Sequence, residues 1–231
     1  MTAIQTLAQR TLDGVLDLLF PRRCGGCGAY GVGLWCADCD MRTVRFDARE
    51  SRGALHLSGE PDPLTVISAV PFEGAVREAV HAFKFGGAPH LADTFAPWMY
   101  SAWRNAMNNG KTVDVVVAVP LHRARERERG YNQSEWLAKR IATDLRSQYA
   151  HDALRRVRAT DQQALLSPVQ RLANVRDAFS ANRQLLHGKS VMIIDDVLTT
   201  GATLTECASA CMQAGAASVA ALTLARVADN R

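Results

Sequence analysis

Three stretches of this chain are apolar at nearly every position: "VDVVVAVP" (113–120), "SVMIIDDV" (190–197) and "ASVAALTLARV" (217–227). A strand with one face in water alternates apolar and polar residues. A run without alternation must be covered on both faces, which is the condition of strands in a parallel sheet. The intervening segments read as the covering layers. "LTVISAVPF" (64–72) is a further strand. "EGAVREAVHAFKF" (73–85), "HLADTFAPWMYSAWRNAM" (90–107, despite Pro97) and "NQSEWLAKRIATDLRSQY" (132–149) read as helices. In the last of these Leu137, Ile141 and Leu145 recur at helical spacing. "ATLTECASACMQAG" (202–215) is another helix, closed by Gly215. Apolar strands alternating with helices predict an α/β fold with a mainly parallel sheet flanked by helices.

With 231 residues, 48% of them hydrophobic, the chain has room for one sizeable α/β domain and a small appendage. No apolar run reaches the roughly 18–20 residues needed to span a bilayer, so the chain is not expected to be integral to the membrane. The net charge of +4 permits phosphate-rich partners without requiring them. At the N-terminus, "MTAIQTLAQRTLDGVLDLLFP" is interrupted by Asp13 and Asp17 and lacks a small-residue cleavage site. Leu7, Leu12, Val15, Leu16 and Leu19 fit one face of a short amphipathic helix that Pro21 ends. This reads as a cytoplasmic protein; a membrane-surface helix is the alternative, against which stands the lack of a Lys/Arg cluster on the polar face.

Cys24, Cys27, Cys36 and Cys39 form two CxxC pairs in "CGGCGAYGVGLWCADC", separated by eight residues. Each pair aims two sulfurs inward from a tight turn, and two such turns make the closed, all-thiolate, tetrahedral site of structural zinc. Two disulfides are the alternative, but no export signal points to an oxidising compartment. Cys207 and Cys211, four apart on an expected helix, read as small buried apolar residues.

In open α/β sheets ligands bind beyond the carboxyl ends of the strands. There "VMIIDDVLTTGAT" (191–203) places Asp195 and Asp196 at the end of an apolar strand, followed by Thr199, Thr200, Gly201, Ala202 and Thr203. Backbone N–H groups at a helix start bind anions, a glycine admits a phosphate closely, and hydroxyls add donors. Carboxylates accept hydrogen bonds from vicinal hydroxyls and help hold Mg²⁺. A sugar phosphate satisfies both halves; mere capping of the next helix needs only one such residue. The segment lacks the lysine of a GxxxxGK[ST] loop and is not a GxGxxG fingerprint.

"VMIIDDVLTTGAT" resembles the 5-phosphoribosyl-1-pyrophosphate (PRPP) motif of type I phosphoribosyltransferases. Together with "LLFPRRCGGCG", "FKFGG", "VPLHRARERERGYNQSEWLAKRIA" and "ATDQQALLSPVQRLANVRDAF", in that order, it is similar to the ComF/GntX (ComFC) family from about Leu18 to Val227. The resemblance implies a type I phosphoribosyltransferase fold bearing a small N-terminal zinc-ribbon-like module. It implies ribose-hydroxyl binding by Asp195 and Asp196, and 5-phosphate binding by Thr199–Thr203. It also implies a pyrophosphate loop at Pro120, Leu121 and His122, and a mobile hood whose matching polar positions are Thr160, Gln163, Arg171 and Asn174. These hood residues either contact substrate or only fasten the lid. Arg123, Arg125, Arg127 and Arg129 either neutralise pyrophosphate, contact a DNA backbone or, with Glu126 and Glu128, form a solvated surface. Asn132 is a helix cap or a ligand contact; Lys84 reaches pyrophosphate or is a helix-end cation.

The implied function is phosphoribosyl transfer from PRPP, with Mg²⁺, to an unidentified acceptor, linked to DNA uptake in natural transformation. The alternative is a non-catalytic, PRPP-sensing, single-stranded-DNA-binding protein. The expected organisation is an N-terminal helix and zinc module over 1–45, a linker over 46–63 and the phosphoribosyltransferase-like domain over 64–231.

Overall fold

The computed structural model describes residues 23–57, 60–107, 112–158, 175 and 177–228; the helix expected before Pro21 lies outside them. After a short helix in the cysteine segment, α1 (Ala37–Arg42), the two longest strands, β7 (Ser190–Leu198) and β8 (Ser218–Arg226), run parallel over almost their whole length. β2 (Leu64–Pro71) extends the sheet beside β8, and β3 (Val115–Ala118) extends it beside β7, both parallel. Two short strands finish the edges: β1 (Arg52–Leu55), antiparallel to β2, and β4 (Gln148–Tyr149), parallel to β3. The resulting order is β1-β2-β8-β7-β3-β4.

The lack of alternation in the apolar runs is explained by cover on both faces. Val191 and Ile193 of β7 point to one side and Met192 and Ile194 to the other, yet all four are buried. Met192 and Ile194 meet α2 (Gly74–Phe85), α3 (Ala92–Met107) and α5 (Gln133–Leu145) through Phe83, Phe95, Met99, Leu137 and Ile141. Val191 and Ile193 meet α7 (Ala202–Gln213) through Leu204, Cys207 and Cys211. Both of those cysteines are fully buried, and burial raises their thiols, as expected of inert core residues.

Several local expectations change. The strand expected to end at the aspartates continues to Leu198, because β8 still pairs with it at Val197↔Ala225 and Leu198↔Arg226. The β3 ladder, in contrast, ends at Ala118↔Ile194, and Pro120 has no N–H to prolong it. The aspartates therefore lie inside a strand at the point where one neighbour leaves. The helix expected through Tyr149 stops at Leu145, where Arg146 turns left-handed with φ of 55°, freeing Gln148 and Tyr149 to pair with β3. Within 46–63, the segment expected to be a linker, β1 joins the sheet, and the Arg226 guanidinium donates to the carbonyls of Glu50 and Arg52. The arginine run forms a short helix, α4 (Arg123–Arg129), capped by His122 and by Gly130 at φ 79°. Downstream, β5 (Leu154–Arg156) and β6 (Phe179–Ala181) form a separate antiparallel pair, and α6 (Arg183–Leu186) follows.

One polar contact is sealed within the sheet. Ser68 of β2 and Thr223 of β8 are register partners, both fully buried, with hydroxyls 2.8 Å apart. Thr223→Val keeps the shape but leaves the Ser68 hydroxyl unpaired, which should cost about 1–3 kcal/mol. Ser68→Ala with Thr223→Val should recover most of that loss; urea denaturation of the two variants checks the cycle.

Candidate functional site

The carboxylates gather residues from four elements. β7 holds Asp195 and Asp196 on consecutive positions, so their side chains leave on opposite faces of the strand. The Asp195 carboxylate accepts from the Ser134 hydroxyl at 2.9 Å, and its Oδ1 also accepts the Asp196 N–H at 2.9 Å. Asp196 is nearly buried and receives the Lys84 ammonium, from the last turn of α2, at 3.0 Å. Asn132 caps α5: its Oδ1 accepts from the Ser134 N–H and its amide donates to the Val119 carbonyl at the end of β3. Asn132 is thus a buried brace between β3 and the helix that carries Ser134.

Removal from water pushes Asp195 up to about 7, and the neighbouring Asp196 charge adds to this. Lys84, the Asp196 N–H and the Ser134 hydroxyl act in the opposite direction. Arg129 is half-buried; desolvation lowers its guanidinium, while the Asp196 charge supports it. Desolvation likewise lowers Arg156, which feels Asp195. A carboxylate pair ringed by cations suits a ligand carrying both hydroxyls and phosphates.

Beyond Leu198 the chain turns over Thr199, Thr200 and Gly201 into α7. Thr200 Oγ1 lies 3.5 Å from the Ala202 nitrogen as a loose cap. Gly201 adopts φ of 79°, and a Cβ there would lie 2.6 Å from Leu55 of β1, so this turn admits only glycine. Thr199–Leu204, with Asp195, Val197 and Leu198, line a small concavity of about 40 Å³. Its floor is the start of α7, where first-turn N–H groups have no intrahelical acceptor.

Pro120, Leu121, His122 and Arg123 do not line that concavity. With Asn132, Glu135, Tyr149, His151 and Arg156 they border another of about 720 Å³. Arg123 and Arg127 face solvent, while Arg125 and Arg129 are half-buried. Thr160, Gln163, Arg171 and Asn174 lie outside the described residues. The sequence reading missed Ser134, Arg129 as a neighbour of Asp196, and Leu55 as the wall behind Gly201. A hydroxyl two residues past the Asn132 cap, at the end of a strand adjoining β7, was the available signal for Ser134.

The second cluster is built by the two CxxC turns. The four sulfurs lie within 4.8 Å of one another, with Cys24–Cys39 and Cys27–Cys36 at 3.7 Å. A tetrahedral zinc with bonds of about 2.3 Å sets its sulfurs about 3.8 Å apart, so the donor set fits. Burial works to raise the Cys24 thiol, but N–H groups of Cys27, Cys36 and Gly26 outweigh it and bring it down to about 6. Burial and the other sulfurs raise Cys39. Sulfurs competing for negative charge are what a bound cation resolves. A Cβ on Gly26 would lie 2.9 Å from the Cys39 sulfur, Ala75 and Trp35, so the turn fits only with glycine there.

These features define a phosphoribosyltransferase-type α/β domain joined to a four-cysteine module. Residues 118–231 match the family described as "Phosphoribosyl transferase domain". "Competence protein F" of Haemophilus influenzae is 30% identical over 208 residues, 88% of this chain and 90% of that protein. "DNA utilization protein YhgH" of Salmonella typhimurium is 38% identical over 163 residues, 70% of this chain and 71% of that protein. "Competence protein ComFC" of Bacillus subtilis is 28% identical over 205 residues, 88% and 77% of the two chains. The chain belongs to the ComF family and has the type I phosphoribosyltransferase fold. Among the described residues no helix is long and apolar enough to cross a membrane.

The raised Asp195 generates a pH prediction. An unfolded aspartate titrates near 3.9, so between about pH 4 and 7 the native state holds a proton the unfolded state has lost, and stability falls as pH rises. Asp195→Asn should raise the melting temperature of the unligated protein, with a gain that grows from pH 4 to 7 and levels off above. A melting series across that range checks it.

Proposed function

We propose that this protein binds PRPP at the carboxylate pair and the loop after β7, and transfers phosphoribose to an acceptor used in DNA handling. The observation that carries the reading is the juxtaposition of Asp195, which lines one concavity with the glycine turn at the start of α7, and the adjacent Asp196, paired with Lys84. Asp195 and Asp196 accept the ribose hydroxyls, and Thr199–Thr203 take the 5-phosphate. In the transfer, the bond from the anomeric carbon to pyrophosphate breaks, a bond to the acceptor forms, and the acceptor loses a proton. Charge develops on the departing pyrophosphate, which in this reading Arg125, Arg129 and the Pro120–Arg123 turn take up. The oxygens of Asp195 and Asp196 also suit Mg²⁺, a hard cation that neutralises phosphate charge.

A second reading is a PRPP sensor that binds single-stranded DNA without turnover. It is favoured by the exposed Arg123, Arg127 and Tyr30, and by relatives named for competence and DNA utilization. Pyrophosphate release with PRPP and candidate acceptors separates the two readings. A steep loss of oligonucleotide binding with salt supports the second.

Titration with PRPP and Mg²⁺ tests the shared premise. At a hundredfold excess over Kd, binding stabilises by about 2.7 kcal/mol. At this chain length that is a rise of roughly 2–4 °C in Tm per kcal/mol. Asp195→Ala with Asp196→Ala should abolish the rise, and an unchanged Tm in the parent protein overturns the PRPP reading.

We further infer that the cysteine cluster holds structural zinc, four thiolates leaving no open position for substrate. One zinc per chain is expected by elemental analysis. Cys39→Ser should drop the zinc content well below stoichiometric and lower the melting temperature; full retention of zinc would refute the ligand set.

A further inference from the structure

Helix α2 joins the two clusters. Its 12 residues span about 18 Å. Near its start, Ala75 and Ala79 fall on one face and receive the cysteine turn. A Cβ on Gly26 would lie 2.9 Å from the Ala75 Cβ, and one on Gly25 would lie 3.4 Å from the Ala79 Cβ. Ala75 packs with Trp35 against Cys24, Cys36 and Cys39. In its last turn Lys84 stands 3.0 Å from the Asp196 carboxylate, its side chain three-quarters buried. Between these ends the helix cannot swivel: Val76, Val80 and Phe83 are buried, and the Phe83 ring packs edge-on against Phe95 at 5.7 Å. The Phe83 carbonyl accepts from the Tyr131 hydroxyl.

We propose that Lys84 is a positioning residue for the sugar-phosphate site, holding the Asp196 carboxylate in place through their ion pair, and that the four-cysteine module acts on that site through α2. The proposal rests on the PRPP reading above. Two carboxylates on adjacent residues of a buried strand repel, and each must remain an acceptor for ribose hydroxyls to bind. An ammonium on a flexible stem neutralises Asp196 from one side and leaves other lone pairs free for the sugar. Ser134 performs the neutral counterpart for Asp195. Arg129 and Arg156 add field from α4 and β5. Lys84 lies before residue 118, outside the phosphoribosyl transferase match, so this contact comes from the N-terminal half of the chain.

The test is calorimetric titration with PRPP and Mg²⁺ of the metal-loaded protein and of its Lys84→Met and Lys84→Arg variants, each also after metal removal by a chelator. Lys84→Met should bind about tenfold more weakly, as expected when a nearly buried carboxylate loses its counter-charge. Lys84→Arg should recover most of that loss, which a merely structural change would not do. Metal removal should weaken the parent protein by a similar factor and Lys84→Met by less than about twofold more, since the two changes act along one path. Where metal loss unfolds the chain, Ala75→Leu replaces it, wedging the turn off α2 with all four cysteines present. Equal or tighter binding by Lys84→Met, no recovery by Lys84→Arg, or losses that simply multiply would each overturn the proposal. Failure of the parent protein to bind PRPP would overturn the sugar-phosphate reading itself, and this proposal with it.

Discussion

Two carboxylates on consecutive residues of a central strand set the terms for everything around them. Burying one charge is costly, and burying two side by side costs more unless each is met by a partner. The protein meets Asp196 with the Lys84 ammonium and Asp195 with the Ser134 hydroxyl and a backbone N–H. Those partners come from α2 and α5, so both helices must be held at fixed positions against the sheet. Phe83, Phe95, Leu137 and Ile141 do that from one apolar face. The cost that remains is visible in Asp195, still raised toward neutrality.

The sheet opens beside the carboxylate pair. β3 stops pairing at Ala118, while β7 follows β8 as far as Leu198. The gap left beside Asp195 is filled from α5, whose cap residue Asn132 ties back to the Val119 carbonyl. On the far side, β1 lays Leu55 against Gly201, so an edge strand from a polar, glycine-containing stretch shapes the turn before α7. The site thus depends on the β1 edge of the sheet and on the early end of β3 as well as on its centre.

Much of this was legible in the residues. The unalternated apolar runs gave the doubly covered strands, "DDVLTTGAT" pointed to the carboxylate pair and the glycine turn, and the double CxxC located the cysteine cluster. What was not legible depends on tertiary pairing. Gln148 and Tyr149 continue a helical pattern, yet join β3 because Arg146 breaks the helix. Arg52–Leu55 has too little apolar pattern to read as a strand and exists because β2 offers an edge. Lys84 had two readings, pyrophosphate ligand or helix-end cation; it does lie in the last turn of α2, and from there it pairs with Asp196, a contact neither reading named. The Arg123–Arg129 helix had signals that alternating charge obscured: good helix formers between a His122 cap and a left-handed Gly130.

The cysteine module has almost no core of its own. Among the described residues Cys24, Cys36 and Cys39 form its buried cluster, with Trp35 and Ala75 packed against it, and Ala75 belongs to α2. A segment that short cannot offset its chain entropy by apolar burial, and sulfur–metal bonds are the usual substitute. Trp35 carries the module into the main core, packing edge-on with Trp98 at 5.2 Å and Phe95 at 6.4 Å. Phe95 in turn packs on Phe83, one residue before Lys84. A continuous run of aromatic contacts therefore leads from the cysteine turn to the carboxylate pair. A module needed only to finish the N-terminus could have docked on any apolar face. This one docks on the helix whose other end carries the ion pair with Asp196, so any shift of the module bears on the position of Lys84.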